Sequence, residues 1–184
     1  MDERSPDSPA VVLVIDMLAG FCTRGNLYSP RYAPVVERLS AYLEQAERDG
    51  ARLVFLADTH TPDDPEFRMF PPHCVEGSGE EEVVPELARF AARGTLVRKH
   101  SYSGFFGTGL AEVLERLAPR TVVVTGVCTD ICVLHTVAGL RVRGYDVVVR
   151  EDLVETYDAP GHDAGEYNRF ALTHMRDVLG ATVE

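Results

Sequence analysis

Residues 120–144 read RTVVVTGVCTDICVLHTVAGLRVRG, and how this stretch is parsed decides the fold. Its first part, RTVVVTGV, is the most strongly β-branched run in the chain. A continuous apolar run of that kind marks a strand buried on both faces. Gly126-Val127-Cys128-Thr129-Asp130 then reads as a tight strand-to-helix turn. From Asp130 to Arg143 the pattern is helical, and Gly144 supplies the stop. A fully buried strand that feeds a helix is the building unit of a parallel sheet.

The same alternation extends in both directions. Upstream, VVLVID (Val11–Asp16) and ARLVFLAD (Ala51–Asp58) are strand-like, and a helical spacing of apolar residues runs from Tyr32 to Arg48, with Gly50 behind it. A Pro-rich segment after Asp58 is too irregular for a regular element. Glu81–Ala92 suits a helix, TLVRK (Thr95–Lys99) a short strand and Gly109–Leu117 another helix. Downstream come the strand YDVVVRED, a helix over His162–Leu179 and a final ATVE. The expected fold class is α/β: three layers, α/β/α, around a mainly parallel six-stranded sheet with right-handed crossovers. One domain is expected over residues 1–184, with residues 1–10 as a loose tail.

Composition narrows the function classes. The 184 residues include 18 basic and 29 acidic side chains, a net charge of −11. That balance argues against nucleic acid or an anionic membrane surface, both of which reward clustered Lys and Arg. No apolar run approaches the ~20 residues of a membrane span. The four cysteines show no paired CxxC spacing, and no secretory signal is evident. Reduced thiols and a cytoplasmic location are expected. Self-association into a homo-oligomer is left open.

In open α/β sheets, ligands bind beyond the carboxyl ends of the strands. Asp16, Asp58 and Lys99 end the first three strand-like runs, and Cys128 and Cys132 follow the fourth. Each alone is unremarkable, since a strand-end Asp is often a turn residue and most free cysteines are small core hydrophobes. Together they bring complementary chemistry to one edge. Cys132 falls in the first turn of a helix, where unpaired N–H groups and the dipole lower a thiol's pKa, and Lys99 would push the same way. Asp16 could accept the thiol proton. His135 and His100 read as packed or solvated neighbours, outside the chemistry.

A second constellation is DTHTPDDPEFRMFPPHC, in which Asp58 and His60 share one side of an extended segment and Glu66 and His73 return to it after proline-bounded turns. Imidazole with carboxylate suits Zn²⁺, Mn²⁺ or Fe²⁺, although a solvated loop has the same composition.

Taken with GVCTDIC and RKHSYSGFFGT, the chain resembles the isochorismatase-like cysteine hydrolases, and within them the nicotinamidases, along nearly its whole length. The resemblance implies the fold of that family and a catalytic triad of Asp16, Lys99 and Cys132. It also implies a cis bond between Val127 and Cys128, and an oxyanion hole made by the N–H groups of Cys128 and Cys132. Asp58, His60, Glu66 and His73 match the ligand positions for one divalent transition metal (Zn, Mn or Fe). Glu66 stands where several nicotinamidases have a third histidine. Phe21 and Phe70 match the aromatic walls around a pyridine ring, Phe70 where tryptophan is common. DMLAGF lacks the glutamine and second acid often found in that motif. The implied partner is a small-molecule amide, and the implied activity is metal-dependent hydrolysis of nicotinamide to nicotinate and ammonia through a thioester, a step of NAD salvage. The alternatives are a cysteine amidase for another small amide (an N-carbamoyl or ureido compound) and a non-catalytic domain of the same fold.

Overall fold

In a computed structural model that describes residues 9–184, the apolar runs pair into one six-stranded sheet ordered β3-β2-β1-β4-β5-β6. The strands are β1 (Val11–Ile15), β2 (Arg52–Asp58), β3 (Thr95–Lys99), β4 (Val122–Val127), β5 (Val147–Glu155) and β6 (Thr182–Val183). Every pairing is parallel. The expected tail lies mostly outside the described residues; Pro9 and Ala10 are tied, their carbonyls accepting from Arg120 N and Arg52 N.

Both faces of the sheet are covered at its centre, which is why β1 and most of β2 and β4 read as apolar runs. In β1 successive side chains alternate between two cores. Val12 and Val14 pack with α2 (Ala33–Arg48) and α3 (Pro85–Ala91), alongside the short α1 (Ala19–Cys22). Val11, Leu13 and Ile15 pack with α4 (Leu110–Leu117), α5 (Leu134–Val142) and α6 (Ala164–Asp177). The three-layer expectation holds.

The elements differ from the sequence reading where local chemistry interrupts periodicity. α3 starts at Pro85 rather than Glu81, because the residue before a proline is driven out of the helical region and Val84 is extended. The preceding residues form a strap that pairs with the segment after β1, through Ala19 N to Glu82 O and Val84 N to Met17 O. The helix expected from Asp130 opens instead as a wide π turn, Thr129–Val133, in which Val133 N reaches back to Cys128 O at 3.1 Å. β5 is longer than expected and irregular: Val124 pairs with Val149 but Gly126 with Val154, so Arg150–Leu153 loops out of register.

Register sets the site. Ile15 lies opposite both Leu56 and Gly126, and Asp58 opposite Lys99, so the carboxyl ends of β1 to β4 finish at one level. Strand order reverses between β1 and β4, which opens a crevice there. Gly126 makes the close approach possible: its φ is +108°, and a Cβ would sit 2.0 Å from Ile15 O.

Candidate active site

Asp16 leaves β1 in a left-handed conformation (φ 52°), which turns its carboxylate along the sheet edge. Asp16 N donates to Leu56 O, and Asp16 Oδ1 accepts from Asp58 N at 3.0 Å. Its other oxygen lies 2.8 Å from Lys99 Nζ, and Lys99 Nζ also lies 2.5 Å from Asp58 Oδ1. The ammonium donates to Cys132 Sγ at 3.6 Å. Asp16, Lys99 and Cys132 are thus brought together, and a carboxylate oxygen of Asp16, one of Asp58 and Cys132 Sγ all fall within 4.8 Å of one another.

All four groups are buried, and burial governs their protonation. Asp16 is pushed up to about 7, first by desolvation and then by the charge of Asp58, with Lys99 pulling the other way. Desolvation also opposes ionisation of Asp58, but Lys99 and His60 outweigh it and hold that carboxyl at about 2. The expectation of a lowered thiol pKa fails for Cys132: desolvation raises it well above the ordinary range despite Lys99. The resting side chain is a neutral thiol, so a proton acceptor is required before it can attack. Lys99 keeps its proton, because its two carboxylates overcome its own desolvation.

Cys128 faces the other side of the turn. Its Sγ lies 3.2 Å from Tyr32 Oη, and burial pushes its thiol up to about 12. The Val127–Cys128 peptide is cis.

The Pro-rich loop is more ordered than its composition implied. His60 pairs with the Val75 strand segment, donating to Cys74 O and accepting from Glu76 N, which closes the loop at its base. Inside it, Pro65–Arg68 forms a 3₁₀ turn capped by Asp64, whose Oδ1 accepts from Glu66 N. Asp58, His60 and His73 each offer one atom to a cluster no wider than 4.8 Å. Glu66 stands just outside that cluster, its Oε1 3.7 Å from His73 Nε2. His73 Nδ1 is engaged by Pro71 O at 2.9 Å, which leaves Nε2 directed at Asp58 and Glu66.

These residues fit a divalent cation. His60 is completely buried, yet neither of its ring nitrogens has an aligned hydrogen bond. Nδ1 lies 3.1 Å from Asp64 Oδ2 and Nε2 lies 3.7 Å from Asp58 Oδ2, the outer-partner and inner-ligand arrangement that orients a metal-binding imidazole. Three carboxylates crowd two imidazoles here: Glu66 is raised to about 7 by burial and Asp58, and His60 to about 9 because its carboxylate neighbours outweigh desolvation.

Both clusters open into one cavity of about 470 Å³. Phe21 and Phe70 both line it beside His73, with ring centroids 5.6 and 6.4 Å from the imidazole. Sequence reasoning missed Asp64, and the wall residues Tyr102, Ile131 and Tyr157. Tyr102 lies just past a strand end that was already suspect, so its position was a usable signal. Tyr157 had none, because it is delivered by the irregular end of β5 and held by a stacked His162 whose Nε2 bonds Asp130 Oδ2 at 2.9 Å. His135 is exposed and bound to its own helix turn at Ile131 O, outside the cavity as expected.

Comparison with known proteins now bears on this geometry. The family model for the isochorismatase domain matches residues 10–182. Nicotinamidase 1 of Arabidopsis thaliana is 34% identical over 208 residues, covering 97% of this chain and 84% of the relative. Among solved structures, a pyrazinamidase/nicotinamidase from Streptococcus mutans UA159 superposes with a TM-score of 0.86 at 30% identity, covering 95% of this chain and 99% of that one. An N-carbamoylsarcosine amidase from Thermoplasma acidophilum gives 0.82 at 34% identity, with 96% and 95% covered. A pyrazinamidase of Pyrococcus horikoshii in complex with zinc gives 0.81 at 26% identity, with 95% and 98% covered.

Proposed function

The chain belongs to the isochorismatase family, and from that premise we propose that it is a metal-dependent cysteine amidohydrolase converting nicotinamide to nicotinate and ammonia. One observation carries the reading: a buried Asp–Lys–Cys group and an imidazole–carboxylate cluster open onto the same aromatic-walled cavity. The similarity to Nicotinamidase 1 and to the zinc-bound pyrazinamidase supports it.

In this reading Asp16 accepts the proton of Cys132, and the sulfur attacks the carboxamide carbon. The N–H groups of Cys128 and Cys132 hold the developing oxyanion. Asp16 returns the proton to the departing nitrogen, releasing ammonia and leaving a thioester, which water cleaves to the carboxylic acid and the free thiol. Lys99 stays charged and fixes the Asp16 carboxylate against the sulfur. Phe21 and Phe70 flank the ring. Asp58, His60, Glu66 and His73 would hold a divalent transition metal (Zn, Mn or Fe), which supplies a Lewis-acidic anchor for a ring nitrogen when bound. The whole machinery lies in a single domain, and its free thiols suit the cytoplasm. No helix of the described residues is long and apolar enough to cross a membrane.

The test is ammonia release from nicotinamide, with metal analysis of the same sample. Cys132→Ala should abolish turnover with an unchanged circular dichroism spectrum, and chelation should lower it reversibly. Full turnover by the Cys132→Ala protein would refute the nucleophile, and full turnover by metal-free protein would remove the metal. A second reading, hydrolysis of another small amide, is favoured by the similarity to N-carbamoylsarcosine amidase. It would share the triad without needing the metal loop.

A further inference from the structure

Two cations are each held between two carboxylates, Lys99 behind the cavity wall and Arg31 in its lining. Lys99 sits between Asp16 and Asp58, which do line the cavity. At the mouth the Arg31 guanidinium lies 3.2 Å from Glu155 Oε2 and 3.1 Å from Asp158 Oδ2, using a different terminal nitrogen for each. Among the described residues, Arg31 is the one Lys or Arg in the cavity lining, and Asp158 lines the cavity beside it.

The clamp on Arg31 is itself held in place. Glu155 Oε1 accepts from Thr156 N at 2.9 Å and from the Asn168 amide, which leaves Oε2 for the arginine. Asp158 Oδ1 accepts from Ala164 N at 2.8 Å, which leaves Oδ2. Each carboxylate is therefore oriented by the chain around it, and Arg31 meets a preformed pair of acceptors.

A carboxylate-bearing substrate needs a cation whose charge is not already balanced, because an anion that gives up its hydration requires a compensating partner. Arg31 gives one bond from each terminal nitrogen to an acid and its Nε has no partner, but the two acids more than balance its charge, so the formal charge of the group is −1. Selectivity of this kind comes from what a site repels as much as from what it attracts.

We propose that Arg31, Glu155 and Asp158 form a charge filter at the mouth, which admits uncharged amides and turns away amides carrying a carboxylate. The inference rests on the amide-hydrolase reading above and deepens it to a substrate class.

The test measures ammonia release from two amides of one shape. Maleamate carries a carboxylate, and isocrotonamide is the same cis-alkenyl amide with methyl in its place. Metal-loaded wild-type protein should favour isocrotonamide in kcat/KM by ~10-fold or more. The pair Glu155→Gln and Asp158→Asn keeps the oxygens that face the backbone and removes two negative charges. It should move the ratio ~10-fold toward maleamate, mainly through KM. Arg31→Met, which leaves the two acids unopposed, should move it the other way. Comparable rates on the two amides in the wild type, including none on either, would overturn the filter; so would a ratio that none of these substitutions moves. If nicotinamide is not hydrolysed but the amide pair behaves as stated, the nicotinamide reading falls and the filter stands. Turnover of nicotinamide with no discrimination in the pair would do the reverse.

Discussion

Replacing Lys99 by Met removes one charge from the centre of the site and little else, since the two side chains are similar in length. The Lys99 side chain is 0% exposed, and those of its partners Asp16 and Asp58 are 1% and 3% exposed. At the 2.8 Å contact the raw attraction is ~6 kcal/mol for an effective dielectric near 20. Much of that offsets the several kcal/mol needed to bury each ion. What the variant loses is the compensation of two carboxylates that stay buried, and breaking such a pair costs ~3–5 kcal/mol. Against a total stability of ~5–15 kcal/mol that is a large share. Urea denaturation of chelator-treated protein at pH 7.5, followed by circular dichroism, would read it as a lower midpoint at unchanged slope.

The pH dependence provides a second check. In the variant both carboxylates lose the ammonium and only Asp58 keeps a cationic neighbour, His60, so both folded pKa values rise and that of Asp16 lies well above the unfolded value of ~3.9. The folded state then binds more protons than the unfolded state, and stability falls as pH rises through the folded pKa values. The deficit should be smaller at pH 5 than at pH 7.5. A loss under ~1 kcal/mol at pH 7.5, or one that grows on acidification, would show that the ammonium does not hold the two carboxylates as argued.

Two further substitutions probe the frame around the site. Gly126→Ala should cost more than ~4 kcal/mol or prevent folding, because the new Cβ meets the β1 backbone at a positive φ; a thermal midpoint within a few degrees of wild type would contradict the close approach. Asp64→Asn keeps an oxygen for Glu66 N but weakens the partner of His60 Nδ1. Metal affinity measured by competition with a chromogenic chelator should fall ~10–100-fold, and unchanged affinity would place Asp64 outside the metal's support.

The central strands were legible because burial on both faces favours a continuous apolar run, as in VVLVI and VVV. The residues that close the strands were legible for the complementary reason: a carboxylate or ammonium at the end of an apolar run stands out. Their pairing was not. That Lys99 holds Asp58 as well as Asp16 depends on Asp58 lying opposite Lys99 across β2 and β3, and lateral register leaves no mark in a single strand's sequence. The protonation state of Cys132 was misread because helix polarity is a local property and desolvation is a property of the finished fold. The capping turn at Asp64 was hidden in a loop whose composition also suits a solvated segment.

The crevice between β1 and β4 has a kinetic corollary. Its flanking strands are joined across a gap of 112 positions, the separation of Thr125 from the Leu13 carbonyl that its hydroxyl bonds. Such a long-range contact carries a large loop-closure entropy and tends to form late in folding. The acid and the thiol reach the chain's centre from opposite halves, so neither fragment alone owns a working pair. Recovery of turnover after dilution from denaturant would therefore time the joining of the two halves, and should lag behind the return of helical signal.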